Sequence, residues 1–150
     1  MMKRSDRISL QVAGFEKECR RRGLALTVQR RTVFEELSER RDHPTADQVY
    51  DAVRGRLPGL SRTTVYRVLE TLVDAGVARK VHHAGTAVRF DPVTGRHHHL
   101  VCDSCGCLVD LDDAQVPPLP LPRAARSGFH IRDYSISFTG LCSSCTRKGN

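Results

Sequence analysis

The sequence predicts an α+β chain: a winged helix-turn-helix over residues 1–91, a hinge at 92–95 and a small α/β domain over 96–150. Three observations carry that expectation. Amphipathic helices with start signals precede two short strand-like runs, which is the order of a winged helix-turn-helix. Two C-x2-C pairs, Cys102-Asp103-Ser104-Cys105 and Cys142-Ser143-Ser144-Cys145, bracket the second half. Charge is also uneven: residues 1–91 hold 18 Lys and Arg against 12 Asp and Glu, whereas residues 92–150 hold 6 against 5.

Leu10 to Arg22 reads as a polar, charged helix ended by Gly23. Thr27 can cap a second helix, with Val28, Val33, Phe34 and Leu37 at helical spacing. Thr45 can cap a third, turning Ala46, Val49, Tyr50 and Val53 inward, and Pro58-Gly59 closes the loop after it. Ser61 caps a fourth over Arg62 to Ala75, whose Val65, Val68, Leu69, Leu72 and Val73 share a face, with Gly76 as the stop. Val77 to His82 and Ala87 to Phe90 then form a hairpin-like wing around His83-Ala84-Gly85-Thr86. Beyond the loop at Pro92 to Gly95, strands are expected at Leu100 to Cys102, Leu108 to Leu111 and Phe129 to Phe138. The prolines of Val116 to Pro122 leave room for at most a short helix starting near Pro122.

Each C-x2-C aims two thiolates at one ion from a tight turn, so Cys102, Cys105, Cys142 and Cys145 supply a complete tetrahedral zinc site. The competing reading is a pair of redox-active dithiols. Cys107 is read as a strand cysteine beside the site, and Cys19 as a buried or idle thiol. A second constellation surrounds the run Arg96-His97-His98-His99. In an extended segment His97 and His99 share a face while His98 points away, and Asp91 and Asp110 offer oxygen ligands. Such a set accepts Fe(II), Mn(II) or Zn(II). Taken alone, His43 reads as a capping or surface histidine.

The formal charge of +7 lies mostly in the first segment and points to a polyanionic partner. No apolar run reaches the roughly 18 residues needed to span a bilayer, and no continuous apolar stretch opens the chain as a signal peptide does. A cytoplasmic location and no membrane partner are expected.

The segments His43-Pro44-Thr45-Ala46-Asp47-Gln48-Val49-Tyr50, Ser61-Arg62-Thr63-Thr64-Val65-Tyr66-Arg67-Val68-Leu69, Arg89-Phe90-Asp91, and His97 through Gly106 together resemble the ferric uptake regulator superfamily, from about Val12 to Cys145. That resemblance implies a homodimer, with a winged helix on double-stranded DNA and an α/β dimerisation domain, in which metal binding favours the DNA-binding arrangement. It also implies a regulatory site of His43, Asp91, His97, His99 and Asp110, filled by Fe2+ or Mn2+, with Zn2+ possible in isolated protein. Aspartate at both 91 and 110 is similar to the peroxide-sensing branch, which implies His43 and His97 as oxidation targets. Arg96, His98, Pro117 and Tyr134 fall near the ligand positions of an additional family metal site and match it poorly. Arg67 resembles iron-sensing members instead.

By the same resemblance Tyr66 and Arg67 read bases, Thr63 and Thr64 lie near bases or phosphates, and Arg62, Arg79 and Lys80 contact the backbone. The expected role is a metal-dependent transcriptional repressor that senses hydrogen peroxide and is not an enzyme. The alternatives are an iron-, manganese- or zinc-responsive repressor without peroxide chemistry and, more remotely, a thiol-disulfide redox protein.

Overall fold

The computed structural model describes residues 3–83, 86–122 and 128–148, and the chain divides into two compact units, Met1–Thr94 and Gly95–Asn150. The first unit contains α1 (Arg4–Arg21), α2 (Val28–Glu39), α3 (Ala46–Val53) and α4 (Arg62–Asp74), followed by β1 (Arg79–Val81) and β2 (Arg89–Asp91). Three helix starts are those the sequence marks. The hydroxyl of Thr27 accepts from the Arg30 amide, that of Thr45 from Gln48 in a reciprocal capping box, and that of Ser61 from Thr64. Gly23 and Gly76, at φ 65° and 68°, take the left-handed conformation that turns the chain out of α1 and α4.

Helical periodicity builds the core. Phe15 of α1 stacks on Phe34 of α2 with centroids 4.5 Å apart, and Val33, Leu37, Val49, Val53, Val65, Leu69 and Leu72 are buried around them. Cys19 is buried in the same cluster, and burial pushes its thiol pKa up, which makes it a packing residue. Two expectations need correction here. α1 begins at Arg4 rather than Leu10, since the polar residues before Leu10 carry Asp6 in the first turn, where a carboxylate suits the helix dipole. Val28, at the first position of α2, faces solvent, and the buried stripe begins at Thr32.

The wing is shorter than the pattern suggests: β1 and β2 pair antiparallel from Arg79↔Asp91 to Val81↔Arg89. The turn assigned to His83-Ala84-Gly85-Thr86 includes Ala84 and Gly85, which lie outside the described residues.

The second unit is a three-stranded sheet of order β4-β3-β5, from β3 (His97–Cys102), β4 (Leu108–Asp112) and β5 (Ser137–Gly140). β3 is central, antiparallel to β4 and parallel to β5. It begins at His97, three residues before the expected Leu100, so the histidine run is part of the ladder. The strand expected over Phe129 to Phe138 is confined to Ser137–Gly140. Ahead of it, Arg96 pairs with Asp133 and stacks on Tyr134, and the His99 amide donates to the Ile136 carbonyl, so side-chain contacts and a backbone bond, without a regular ladder, hold that stretch. A single 3-10 turn, Asp113–Gln115, follows β4, and a terminal helix α5 (Ser143–Lys148) follows β5. The short helix expected from Pro122 falls on residues 123–127, outside the described residues.

Candidate functional site

The second unit gathers Cys102, Cys105, Cys142 and Cys145 with their sulfur atoms all within 4.8 Å of one another. Cys102 ends β3, and its carbonyl accepts from Gly106 while its amide donates to Cys107, closing the first knuckle. Cys142 precedes α5, where the Cys145 and Thr146 amides donate back to its carbonyl. The two knuckles are joined by the parallel pair Cys102↔Gly140 and by the Cys142 amide, which donates to the Cys102 sulfur at 3.3 Å. The Cys105 and Cys142 sulfurs are 3.8 Å apart. A tetrahedral ion with Zn–S of about 2.3 Å requires S···S edges of about 3.8 Å, so this donor set fits zinc.

Hydrogen bonds polarise the set unevenly: despite a lowering bond with Ser104, those with Cys142 and Cys105 push the Cys145 thiol up to about 11. The backbone amide of Cys142, followed by that of Cys105, lowers the Cys102 thiol pKa to about 6, and the amide of Cys145 lowers that of Cys142. Cys107 is pushed up to about 12, first by its hydrogen bond with Cys105 and then by burial. The four-cysteine grouping does not include it.

Two further groupings of imidazole and carboxylate side chains occur, one in each unit. In the first, Phe90 of β2 donates its amide to the Pro44 carbonyl, and the Arg89 guanidinium donates to the carbonyls of Asp42 and His43. These bonds bring the loop before α3 onto β2, leaving His43 Nε2 3.5 Å from Asp91 Oδ2, both residues buried. Asp91 Oδ1 meanwhile accepts from the Val93 amide. His43 is the one described non-glycine residue at positive φ, 49°. Such backbone is uncommon outside glycine, and it occurs here at a residue the sequence singles out.

In the second unit, His97 and His99 lie on one face of β3 with ring centroids 4.9 Å apart. Asp110 is directly opposite His99 on β4, and its Oδ1 lies 3.6 Å from His97 Nε2 and 3.7 Å from His99 Nε2. His97 Nδ1 is 2.8 Å from the Gly95 carbonyl, which can only accept, so Nδ1 donates there and Nε2 is the ring nitrogen that faces the carboxylate. The chemistry of this donor set, two imidazoles and a carboxylate, fits a divalent transition ion.

His98 belongs to the opposite face. Its Nδ1 accepts from the Ile136 amide at 3.2 Å, so its Nε2–H donates to Asp113 at 3.0 Å, and Tyr134 stacks on its ring. Both ring nitrogens are spent on protein partners, and Arg96 and Tyr134 are engaged with Asp133 and each other. The weak match to an additional metal site thus corresponds to a hydrogen-bonded network. Asp113, which the sequence did not single out, and Arg89, which it marked only as part of a family-like segment, hold His98 and the His43 loop in place. Each acts through a contact distant along the chain, and no local pattern announces it.

On α4, Tyr66 and Arg67 are exposed. Thr63 is also exposed, while the Thr64 hydroxyl lies 2.8 Å from that of Ser61 and takes part in the cap. Arg62 pairs with Asp47 of α3 and sits 4.6 Å over the Tyr50 ring. Lys80 pairs with Glu70 at 2.7 Å, and Arg79 donates to the Thr94 carbonyl. None of the described helices is long and apolar enough to cross a membrane.

Comparison with known proteins places these features in context. The sequence pattern described as "Ferric uptake regulator family" matches residues 21–139. The peroxide operon regulator of Bacillus subtilis (strain 168) is 32% identical over 128 residues, covering 85% of this chain and 88% of that one. Among solved structures, the ferric uptake regulator Fur of Helicobacter pylori, described with three functional metal-binding sites, superposes with a TM-score of 0.72 at 18% identity, covering 97% of each chain. A zinc uptake regulator complexed with zinc and DNA gives a TM-score of 0.68 at 27% identity over 95% of this chain and 97% of that one.

Proposed function

The chain belongs to the ferric uptake regulator family, and from that premise we propose that it is a metal-responsive repressor that binds an operator duplex as a homodimer and senses hydrogen peroxide. Residues 1–91 are the DNA-binding domain, 92–95 the hinge and 96–150 the dimerisation domain. The observation that carries the reading is the matched pair of partial ligand sets, His43 with Asp91 and His97 with His99 and Asp110, one in each unit. Brought onto one ion they form the regulatory site. Filling it fixes the angle between the domains, and an ion with ligands on both sides has the differential affinity needed to select the DNA-competent state.

Aspartate at both 91 and 110, together with the similarity to the Bacillus subtilis peroxide operon regulator, favours peroxide as the signal. Iron(II), when bound, supplies electrons that turn hydrogen peroxide into an oxidant of imidazole. His43 and His97 are its targets, and an oxidised ring is a poorer donor, so the hinge opens and the operator is released. The protein consumes its own side chain in this process, which is sensing rather than turnover. A cytoplasmic location accords with this role.

On the duplex, α4 occupies the major groove. Tyr66 and Arg67 read bases, Thr63 and Thr64 lie beside them, and Arg62, Arg79 and Lys80 face phosphates. For the homodimer, Leu100, Val109 and Phe138 are register partners across three strands and all exposed, an apolar row suited to a second copy. Cys102, Cys105, Cys142 and Cys145 hold the structural zinc.

The test is peptide mass spectrometry of Fe(II)-loaded and Mn(II)-loaded protein after one dose of peroxide. One added oxygen on the His43 or His97 peptide of the iron form alone, with loss of DNA affinity, is expected. Arg67 favours a second reading, an iron-, manganese- or zinc-responsive repressor without peroxide chemistry. That reading stands if metal-dependent DNA binding survives peroxide with both peptides unmodified. Release of DNA through a Cys102–Cys105 disulfide with loss of zinc would place sensing in the thiols.

A further inference from the structure

The surface around α4 carries carboxylates as well as cations. Resting on the proposed duplex reading, we infer that Asp47, Asp51 and Glu70 occupy the places of DNA phosphates, holding Arg62 and Lys80 until a duplex displaces them and so restraining sequence-independent binding.

Arg62 is the first residue of α4, and its guanidinium is shared among three groups of α3. It pairs with Asp47, lies 3.8 Å from Asp51 and stacks on Tyr50. Asp47 and Asp51 are four residues apart and therefore on one face of α3. More than half of each side chain is exposed, 58% and 55%, as is that of Arg62 at 53%, so water and salt reach the pair. A second such pair sits further along: Lys80 of the wing reaches Glu70 at 2.7 Å. Glu70 follows Arg67 by three residues and Tyr66 by four, which puts a negative charge on the face that carries the base-reading side chains. Among the described residues, no ion pair engages the Arg67 side chain.

Exposed pairs of this kind are weak, and a phosphate is a comparable acceptor for a guanidinium, so exchange on binding is accessible. The displaced carboxylates then lie within about one Debye length, roughly 10 Å at 0.1 M salt, of the phosphates that replaced them, and they repel those phosphates. The opposition acts on any duplex, whatever its sequence. Arg67 is exempt and contributes its full contact where the base matches.

The experiment measures binding of the Mn(II)-loaded full chain to a random-sequence duplex by fluorescence anisotropy, from about 0.05 to 0.2 M salt. The variants are Asp47→Asn/Asp51→Asn and Glu70→Gln, with Asp6→Asn/Glu39→Gln as a control that changes net charge equally on α1 and α2. Asp47→Asn/Asp51→Asn should tighten binding by roughly fivefold and Glu70→Gln by roughly twofold, while the control changes it by less than twofold. In an Arg62→Gln background the Asp47→Asn/Asp51→Asn gain should fall to less than half on a logarithmic scale. Should Asp47→Asn disturb the first turn of α3, seen as a lowered thermal transition, Asp51→Asn alone should still give about twofold.

An equal gain from the control, or a full gain without Arg62, overturns the inference and leaves the duplex reading intact. A wild-type protein that binds no duplex, or an Arg67→Ala change without effect on any duplex, overturns both.

Discussion

The two units keep their shape by different means. The first buries Phe15, Phe34, Leu37, Leu69, Leu72 and Phe90 in one continuous apolar cluster, each such side chain contributing about 2 kcal/mol of transfer free energy. In the second, the buried apolar residues among those described are Val101, Cys102 and Leu108, while Leu100, Val109, Phe138 and Leu141 are exposed. Its other buried groups include the three histidines of β3. A unit so poor in core would gain most from what it is proposed to bind, an ion across its cysteines and a second copy over its exposed row. The helical unit rests chiefly on apolar burial, with caps and surface ion pairs adding smaller contributions.

The strongest way to break this comparison is to remove a zinc ligand. Cys142→Ser should abolish zinc binding and the ordered amide signals of residues 95–122 and 128–148 in heteronuclear NMR, with those of residues 3–83 largely retained, because a structural zinc contributes on the order of 10 kcal/mol. Cys107→Ser should keep its zinc. A Cys142→Ser protein with one zinc per chain and intact dimerisation would show that the sheet unit has a sufficient core after all.

The converse test is Leu69→Ala, a fully buried truncation in α4. It should destabilise the first unit by about 3 kcal/mol in urea titration while zinc content stays unchanged. Loss of zinc in that variant would mean that the units share stability. A smaller effect sharpens the picture at the helix start. Ser61→Ala removes the cap of α4 and should cost about 1 kcal/mol in the same titration.

The smallest effect is electrostatic. Hydrogen bonds from Arg21, then Arg22, hold the Glu18 carboxyl at about 2, below its ordinary 4.5. A carboxyl that is more acidic in the folded state stabilises fully above about pH 4.5, and that contribution disappears as pH falls toward about 2. Thermal melts from pH 6 to 2 should show a slightly steeper acid loss in wild type than in Glu18→Gln. Identical profiles would remove Glu18 from the first unit's pH response.

Most of the first unit was legible because its signals are local. Thr27, Thr45 and Ser61 cap the helices they precede, and Val33, Phe34, Leu37, Val65, Leu69 and Leu72 bury the stripe their spacing predicts. The four cysteines were legible because zinc chemistry restricts their spacing. What escaped the sequence is what depends on distant partners. Residues 129–136 alternate like a strand, yet the sheet pairs from Ser137, and α5 is too short to show a period. The positive φ of His43 follows from Arg89 and Phe90, more than 40 residues away, pulling its loop onto β2. Nor does spacing show that Arg62, expected to face phosphate, already has carboxylates around it.

β3 carries His97, His99 and Cys102 on a single uninterrupted ladder. Successive side chains on a strand alternate, so deleting or inserting one residue between His99 and Cys102 would, with the sulfur cluster held in place, rotate both histidines to the face now occupied by His98 and carry His98 to theirs. Asp110 would then face the wrong imidazole. Length changes in this stretch are therefore tolerable only in pairs of residues, and the cysteine knuckle, whatever stability it lends, also sets the register that brings His97 and His99 to Asp110.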